Sequence, residues 1–142
     1  MELQKEFVSE LRSRDLKFSD FLSSVEQMNI ASCRLDLAEG RLVFSAHDGV
    51  VCSEDVEFDA DISAKFDDGG IAQTIMSNQT LGLGLRDFVN KVMECGVSSF
   101  TIYPRGRKII YLGLNGDCYY EFIRSAPSGV RHQEPGTSRV LQ

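Results

Sequence analysis

The sequence has little of what marks a membrane or secreted protein. None of its apolar runs approaches the roughly 18 residues that a membrane-spanning helix needs. The first residues, MELQKEFVSELRSR, carry a charge every few positions, whereas a secretory signal peptide has an uninterrupted apolar region. The sequence therefore predicts a cytoplasmic protein without a membrane anchor.

Cysteine and histidine are few and scattered. The cysteines Cys33, Cys52, Cys95 and Cys118 form no CxxC pair, and neither of the two histidines has ligand spacing to them. Zinc sites use closely spaced pairs of these residues, so we expect no metal and no other cofactor. Because the cysteines lie in apolar strand-like segments or at a helix end, they are predicted to be buried, reduced thiols.

Positive charge is also in deficit. The chain has 15 Lys and Arg against 21 Asp and Glu, a net charge of −6, which argues against general affinity for nucleic acid. Its length of 142 residues, with 42% hydrophobic and 25% charged residues, is typical of one soluble globular domain. We expect a single α+β domain over residues 1–124 and a disordered tail over residues 125–142, where proline and glycine recur.

Signatures of catalysis are missing from the sequence. It has no GxSxG motif for a nucleophilic serine and no cysteine with an evident base beside it. The glycines of Leu81-Gly82-Leu83-Gly84-Leu85 precede a helix, but they lack the lysine and the preceding strand of a phosphate-binding loop. The sequence therefore predicts a protein that is not an enzyme.

Two hydrophobic periods alternate along the chain. Apolar residues at helical spacing predict a helix that is capped by Ser19 and ended by Asn29. In the residues that follow, apolar and polar side chains alternate with a period of two, which predicts strands. Asp48-Gly49 and Asn115-Gly116 are typical of hairpin turns. The predicted elements are helices 2–13 and 19–28; strands 31–37, 41–46 and 50–58; helices 70–79 and 85–95; and strands 97–103, 108–112 and 118–123.

Segments of the first half of the chain recur in the second half, always the same number of residues further along the sequence. We term this number the repeat shift; it aligns Asp20-Phe21 with Asp87-Phe88. The repeat shift also aligns core, turn and charged positions: Val25 with Val92, Ile30 with Val97, Val43 with Ile110, Phe44 with Tyr111, Gly49 with Gly116 and Glu54 with Glu121. We therefore predict an α+β fold with an internally duplicated helix–helix–antiparallel β-meander unit and pseudo-two-fold symmetry. The repeats span about 2–58 and 69–123, and the six strands form either one sheet or two packed halves.

The second half also has a recurring arrangement of helix, Gly-Val, strand, aromatic-containing strand, turn glycine and final strand. It is carried by Asn78-Gln79, Asp87-Phe88, Cys95-Gly96-Val97, Lys108-Ile109-Ile110-Tyr111 and Asn115-Gly116-Asp117. These segments resemble a small uncharacterised bacterial family that occurs in prophages and is often labelled phage envelope protein. Residues 20–49 resemble it more loosely, so the resemblance covers about residues 2–124. It supports the expected fold and implies a phage or mobile-element origin, but it assigns no functional residue.

The densest positive charge of the expected fold lies in the hairpin Arg105-Gly106-Arg107-Lys108, where the sequence is more basic than that family pattern. Guanidinium groups bind carboxylates or phosphates in pairs, and tyrosine rings offer stacking faces. The corresponding turn, Ala38-Glu39-Gly40-Arg41, lacks the cluster, so the fold does not require it. The predicted ligand- or partner-binding residues are Arg105, Arg107, Lys108, Tyr103 and Tyr111. The alternative is a solvated turn that balances an acidic body.

Three functions are compatible with these observations. The first is a non-catalytic binding protein that engages a partner protein, and the second is a small-ligand binder that sequesters an anionic metabolite or nucleotide. The third is an enzyme of unrecognised type. We rank them in this order because chemistry usually needs titratable groups gathered in a cleft. A homo-oligomer is compatible with each of them.

Overall fold

The computed structural model describes residues 16–49 and 51–123; the predicted helix 2–13 and the predicted tail 125–142 lie outside these residues. The elements follow one another in the predicted order, and the α+β class is confirmed. Their bounds are α1 (Phe18–Gln27), β1 (Ser32–Asp36), β2 (Arg41–Ser45), β3 (Val51–Asp55), α2 (Asp68–Leu81), α3 (Leu85–Glu94), β4 (Val97–Tyr103), β5 (Lys108–Gly113) and β6 (Cys118–Phe122).

The six strands form one antiparallel sheet in the order β3-β2-β1-β4-β5-β6. Two three-stranded meanders therefore meet at the pair β1–β4, where Arg34 lies opposite Thr101. Of the two arrangements that the sequence allows, the structure has the single sheet. Its edge strands are β3 and β6.

The two meanders pair their strands in the same register. Ser32 lies opposite Ser45 across β1–β2, and their counterparts under the repeat shift, Ser99 and Leu112, lie opposite each other across β4–β5. The pairs β2–β3 and β5–β6 are related by the same shift. Each strand position of the first meander therefore has a counterpart in the second meander.

The entrances to α1 and α3 are joined by two reciprocal backbone bonds. The N–H of Phe18 donates to the carbonyl of Leu83 (3.0 Å), and the N–H of Leu85 donates to the carbonyl of Leu16 (2.8 Å). In both bonds the first residue of a helix uses an N–H that has no partner within its own helix. The two helices therefore begin side by side.

A cluster of aromatic rings packs the helices against one face of the sheet. The ring of Phe18 in α1 stacks on that of Phe88 in α3 at 4.1 Å, and both contact the ring of Phe100 in β4. All three side chains are buried, and each contributes about 1.5–3 kcal/mol by leaving water. The strand residues of the core come from this inner face, and the alternate residues point to the opposite face, which we term the outer face.

The predicted helix ends at Asn29 and Gly96 are confirmed, whereas the predicted helix 70–79 spans Asp68–Leu81 and the predicted start of the first described helix is wrong. Asn29 and Gly96 follow α1 and α3 with φ of 55° and 94°, the left-handed conformation that ends helices. However, α1 begins at Phe18 with Lys17 as its N-cap, and Ser19 does not cap it. The Phe21 N–H, from which a capping Ser19 side chain would accept a hydrogen bond, donates to the Lys17 carbonyl instead (3.0 Å).

Two predictions about the strands are also wrong. The third strand ends at Asp55 rather than at Phe58, because its partner strand β2 begins at Arg41; the next residue, Val56, donates its N–H to the Gly40 carbonyl in the turn (2.9 Å). Cys118 is exposed rather than buried, because it begins the edge strand β6 with its side chain on the outer face. The four cysteines are free thiols; Cys33 is fully buried as predicted, whereas Cys52 and Cys95 are only partly buried.

Candidate functional site

The basic hairpin contains an arginine in an unusual backbone conformation. Residues 104–107 connect β4 to β5, and Arg107 has a φ of 54°. Its N–H donates to the Pro104 carbonyl (3.3 Å), and its carbonyl accepts the Ile123 N–H (2.8 Å). Gly40 holds the corresponding place between β1 and β2 with a φ of 71°. Left-handed backbone costs a residue with a side chain about 1–2 kcal/mol, so arginine stands here at a cost that glycine avoids.

The three cations of the hairpin lie in different surroundings. Arg105 is exposed in the turn. Arg107 reaches α1, where its Nη1 lies 3.8 Å from Oε2 of Glu26. Lys108 begins β5 on the outer face, directly opposite Tyr103 of β4, which is 36% exposed. The structure therefore brings Lys108 and Tyr103 together, and it pairs Arg107 with a carboxylate.

Tyr111 does not belong to this surface, and its prediction as a stacking residue is wrong. It is fully buried, its ring lies 5.3 Å from that of Phe100, and its hydroxyl donates to Oε1 of Glu121 at 2.6 Å. The sequence of β5 has apolar side chains on both faces, so alternation does not decide which of them face the core. The structure turns Ile109 and Tyr111 inward.

The Tyr111–Glu121 pair is a polar contact in the core beside the edge strand β6. Burial raises the pKa of Glu121 to about 7, and the hydrogen bond from Tyr111 opposes this rise. Burial, followed by the charge of Glu121, raises the pKa of Tyr111 well above its usual range. The Glu121 carboxyl therefore keeps its proton to a higher pH than an ordinary glutamate does.

An apolar patch that the sequence did not predict lies on the outer face of β4, β5 and β6, and we term it the outer apolar surface. Large side chains from the three strands and one cation form it: Tyr103, Lys108, Ile110, Leu112, Tyr120 and Phe122. Tyr120 and Phe122 are 43% and 52% exposed, and they lie opposite Ile110 and Lys108. Contiguous exposed apolar side chains are typical of interaction sites.

Over the described strands β1, β2 and β3, the corresponding face of the first meander has no aromatic side chain and is more polar, although Val43 and the exposed Val51 lie on it. Ser53 and Asp55 hold the places that Tyr120 and Phe122 hold in the second meander, and Ser45 holds that of Leu112. Because the two meanders share one register, the fold does not require large apolar side chains at these places. The sequence does contain a signal for this patch. Where the repeat shift aligns the two halves, small or acidic residues of the first half correspond to large apolar residues of the second.

A cleft of about 970 Å³ lies at the other hairpin, between β1 and β2. The residues that line it include Glu39, Asp55, Glu57 and Arg86. Arg86 donates to the Glu57 carbonyl (2.9 Å) and lies 3.8 Å from the carboxylate of Asp59. The charges around the cleft are therefore mainly negative, which disfavours an anion.

The part of the chain that the structure describes was also searched for metal sites and for membrane-spanning helices. Within residues 16–49 and 51–123, no three His, Cys, Asp or Glu side chains come together so as to hold a metal ion. In the same part of the chain, no helix has the length and the apolar character to cross a membrane.

A scan against models of protein families gives no match for this chain, and a search of curated proteins gives none. The function therefore has to be inferred from the geometry of the chain itself.

Proposed function

We propose that this chain is a non-catalytic interaction protein that binds a partner protein through the outer apolar surface. The observation that carries the proposal is the difference between the two meanders. The second meander presents Tyr120 and Phe122 to solvent at the places where the first has Ser53 and Asp55. Exposed aromatic side chains that the fold does not require are typical of the energetically important residues of protein interfaces.

The cations at one end of the surface support a partner that carries carboxylates. Lys108 lies between Tyr103 and Phe122 in a row across β4, β5 and β6, and Arg105 is exposed in the adjoining turn. An apolar centre with a cationic rim fits a protein surface on which apolar side chains lie next to carboxylates. The net charge of −6 disfavours nucleic acid as the partner.

The second candidate function is the binding of a small anionic ligand at the basic hairpin. Arg107 favours it, because this arginine occupies a left-handed position at a cost that glycine would avoid. Two observations place it behind a protein partner: the guanidinium lies 3.8 Å from the Glu26 carboxylate, and the large cleft carries carboxylates that repel an anion. An enzyme of unrecognised type ranks third. Glu121, whose pKa is raised to about 7, bonds to the buried Tyr111 and does not line that cleft.

We also propose that the fold arose by internal duplication, with a pseudo-two-fold axis between β1 and β4. The shared register of the meanders and the reciprocal bonds at the helix starts support this proposal. Superposing residues 16–56 on residues 83–123 in an experimental structure tests it, and unrelated environments for Phe21 and Phe88 would contradict it. The phage or mobile-element origin implied by the family resemblance is a proposal of the same kind.

Partner binding is tested by giving the second meander the residues of the first. The variant Tyr120→Ser with Phe122→Asp should fold, because the same register accommodates Ser53 and Asp55 in the first meander. The matched control is Ser53→Ala with Asp55→Ala. Proteins captured from the host by the wild type and by the control should be lost from the first variant. With a purified partner, we expect calorimetry to show affinity at least about 30-fold lower, since a central interface residue contributes about 2 kcal/mol or more. Unchanged affinity in a folded variant would refute the proposal.

A second measurement separates a small ligand from a protein partner. Native mass spectrometry of freshly purified chain reports any bound small molecule together with the oligomeric state. A bound anion that is lost in Arg105→Ala with Arg107→Ala, but kept in Tyr120→Ser with Phe122→Asp, would favour the ligand. Each charge-assisted contact removed should cost about 1.5–3 kcal/mol of binding free energy.

A further inference from the structure

We infer that the free edge of β6 pairs with β6 of a second copy, so that two six-stranded sheets join into one continuous sheet about a two-fold axis. This inference does not rest on the partner binding proposed above. It concerns the backbone edge of β6, whereas partner binding concerns the side chains of the outer apolar surface.

The hydrogen bonds between β5 and β6 fix which backbone groups reach the edge. The Ile123 N–H donates to the Arg107 carbonyl (2.8 Å), and the Gly113 N–H donates to the Asp117 carbonyl (2.7 Å). Odd-numbered residues of β6 therefore bond to β5, since alternate residues of an antiparallel strand bond to opposite sides. Three residues direct their N–H and C=O groups away from β5: Cys118, Tyr120 and Phe122. Within residues 16–49 and 51–123, no strand pairs with that edge.

The two edges of the sheet are unequal in charge. The β3 edge carries Asp55 and continues into Glu57 and Asp59, and such charges protect an edge from pairing with another strand. The β6 edge has the sequence CYYEF. Its one charged residue, Glu121, turns to the inner face and accepts the hydroxyl of Tyr111. Asp117 precedes β6, but within the strand the outward residues Cys118, Tyr120 and Phe122 are uncharged, whereas β3 carries Asp55 at the corresponding place.

A second copy fits this edge because its outward residues are neutral and self-complementary. With Tyr120 on the two-fold axis, each copy places Cys118 opposite Phe122 of the other, and about six backbone hydrogen bonds form. Cross-strand aromatic pairs add to the stability of such a pair. The side chains of Tyr120 and Phe122, now 43% and 52% exposed, would lose part of that exposure. Pairing through β3 would instead bring together the carboxylates of two acidic copies.

The first test is the mass of the full chain in solution. Size-exclusion chromatography with light scattering, over a series of concentrations, should give twice the chain mass of 15.8 kDa. A mass of 15.8 kDa up to the highest soluble concentration would overturn the inference.

Proline substitution removes one outward N–H without touching the bonds to β5. Tyr120→Pro should weaken the dimer roughly 10- to 100-fold, because two hydrogen bonds across the axis are lost at once. Tyr120→Ser keeps the N–H and should still dimerise, although we expect it to bind a protein partner less well. Ser53→Pro makes the same backbone change on the β3 edge and should leave the dimer unchanged. Equal loss in Tyr120→Pro and Ser53→Pro would contradict the assignment to β6.

Disulfide trapping tests the register even if the proline variant fails to fold. In a Cys118→Ser background, Tyr120→Cys places two thiols across the axis. Hydrogen-bonded antiparallel pairs have Cα atoms about 5.5 Å apart, which is within the range of a disulfide. Mild oxidation should link two copies through position 120, and Ser53→Cys in the same background should give no link. Absence of the link at position 120 would overturn the two-fold axis at Tyr120.

Discussion

The raised pKa of Glu121 makes the stability of the fold depend on pH in the direction opposite to that of a salt-bridged carboxylate. Its pKa is about 7 in the folded chain, against an ordinary value of 4.5. Between these values the folded chain holds a proton that the unfolded chain has released. The protonated Glu121 side chain therefore stabilises the fold fully below about pH 4.5. This stabilisation falls as the pH rises and is lost by about pH 7.

The size of the effect follows from the difference between the two pKa values. At about 1.4 kcal/mol for each pH unit, the span from 4.5 to about 7 corresponds to about 3 kcal/mol. This is an upper value, because the side chain is half-buried and keeps part of its hydration. Glu121→Gln keeps the shape and an oxygen that accepts the Tyr111 hydroxyl, but it has no proton to lose. We expect the variant to match the wild type near pH 4.5 and to be more stable by up to about 3 kcal/mol at pH 8.

Urea denaturation of both proteins at several pH values between about 4.5 and 8 measures this difference directly. Glu54→Gln is the matched control, because Glu54 holds the corresponding place on β3. Tyr111→Phe removes the hydrogen bond that lowers the pKa of Glu121, so the loss of stability should extend to higher pH. A difference between Glu121→Gln and the wild type that stays constant with pH would refute the reasoning.

Two further predictions concern stability. Phe88→Ala removes a ring that stacks on Phe18, and it should lower the free energy of unfolding by about 3–5 kcal/mol. This is a large part of a typical total of about 5–15 kcal/mol. A denaturant midpoint near that of the wild type would show that the inner face of α3 is misassigned. Arg107→Gly places at the left-handed position the residue found at Gly40, and it should raise the free energy of unfolding by about 1 kcal/mol. A lower melting temperature would show that the contact with Glu26 outweighs the backbone cost.

Local elements of this fold follow from the sequence, whereas its long-range pairing does not. Val97–Tyr103 was predicted with its observed bounds, because it lies between the helix-ending Gly96 and the turn at Pro104. The bounds of β3 depend on a partner strand, and β3 ends where β2 begins at Arg41. Likewise, no local pattern states that β1 pairs with β4, and that pairing makes one sheet rather than two.

The candidate site was predicted only in part for a related reason. Arg105, Lys108 and Tyr103 could be placed because they flank a recognisable turn. Tyr111 was misplaced because β5 is apolar on both faces, so only the packed core reveals which side chains turn inward. The exposure of Phe122 was missed on the same ground, since β6 also carries large side chains on both faces.

The place of β4 in the middle of the sheet sets an order of events during synthesis. β1 and β2 can form a hairpin as soon as both have left the ribosome. The other side of β1 is filled only by β4, whose Thr101 pairs with Arg34 from the far half of the chain. Until β4 has been made, the nascent chain exposes an unpaired strand and an uncovered apolar face. Contacts between distant residues close large loops and form slowly. We therefore expect the docking of the two meanders to limit the folding rate, and a chain that ends before β4 to aggregate.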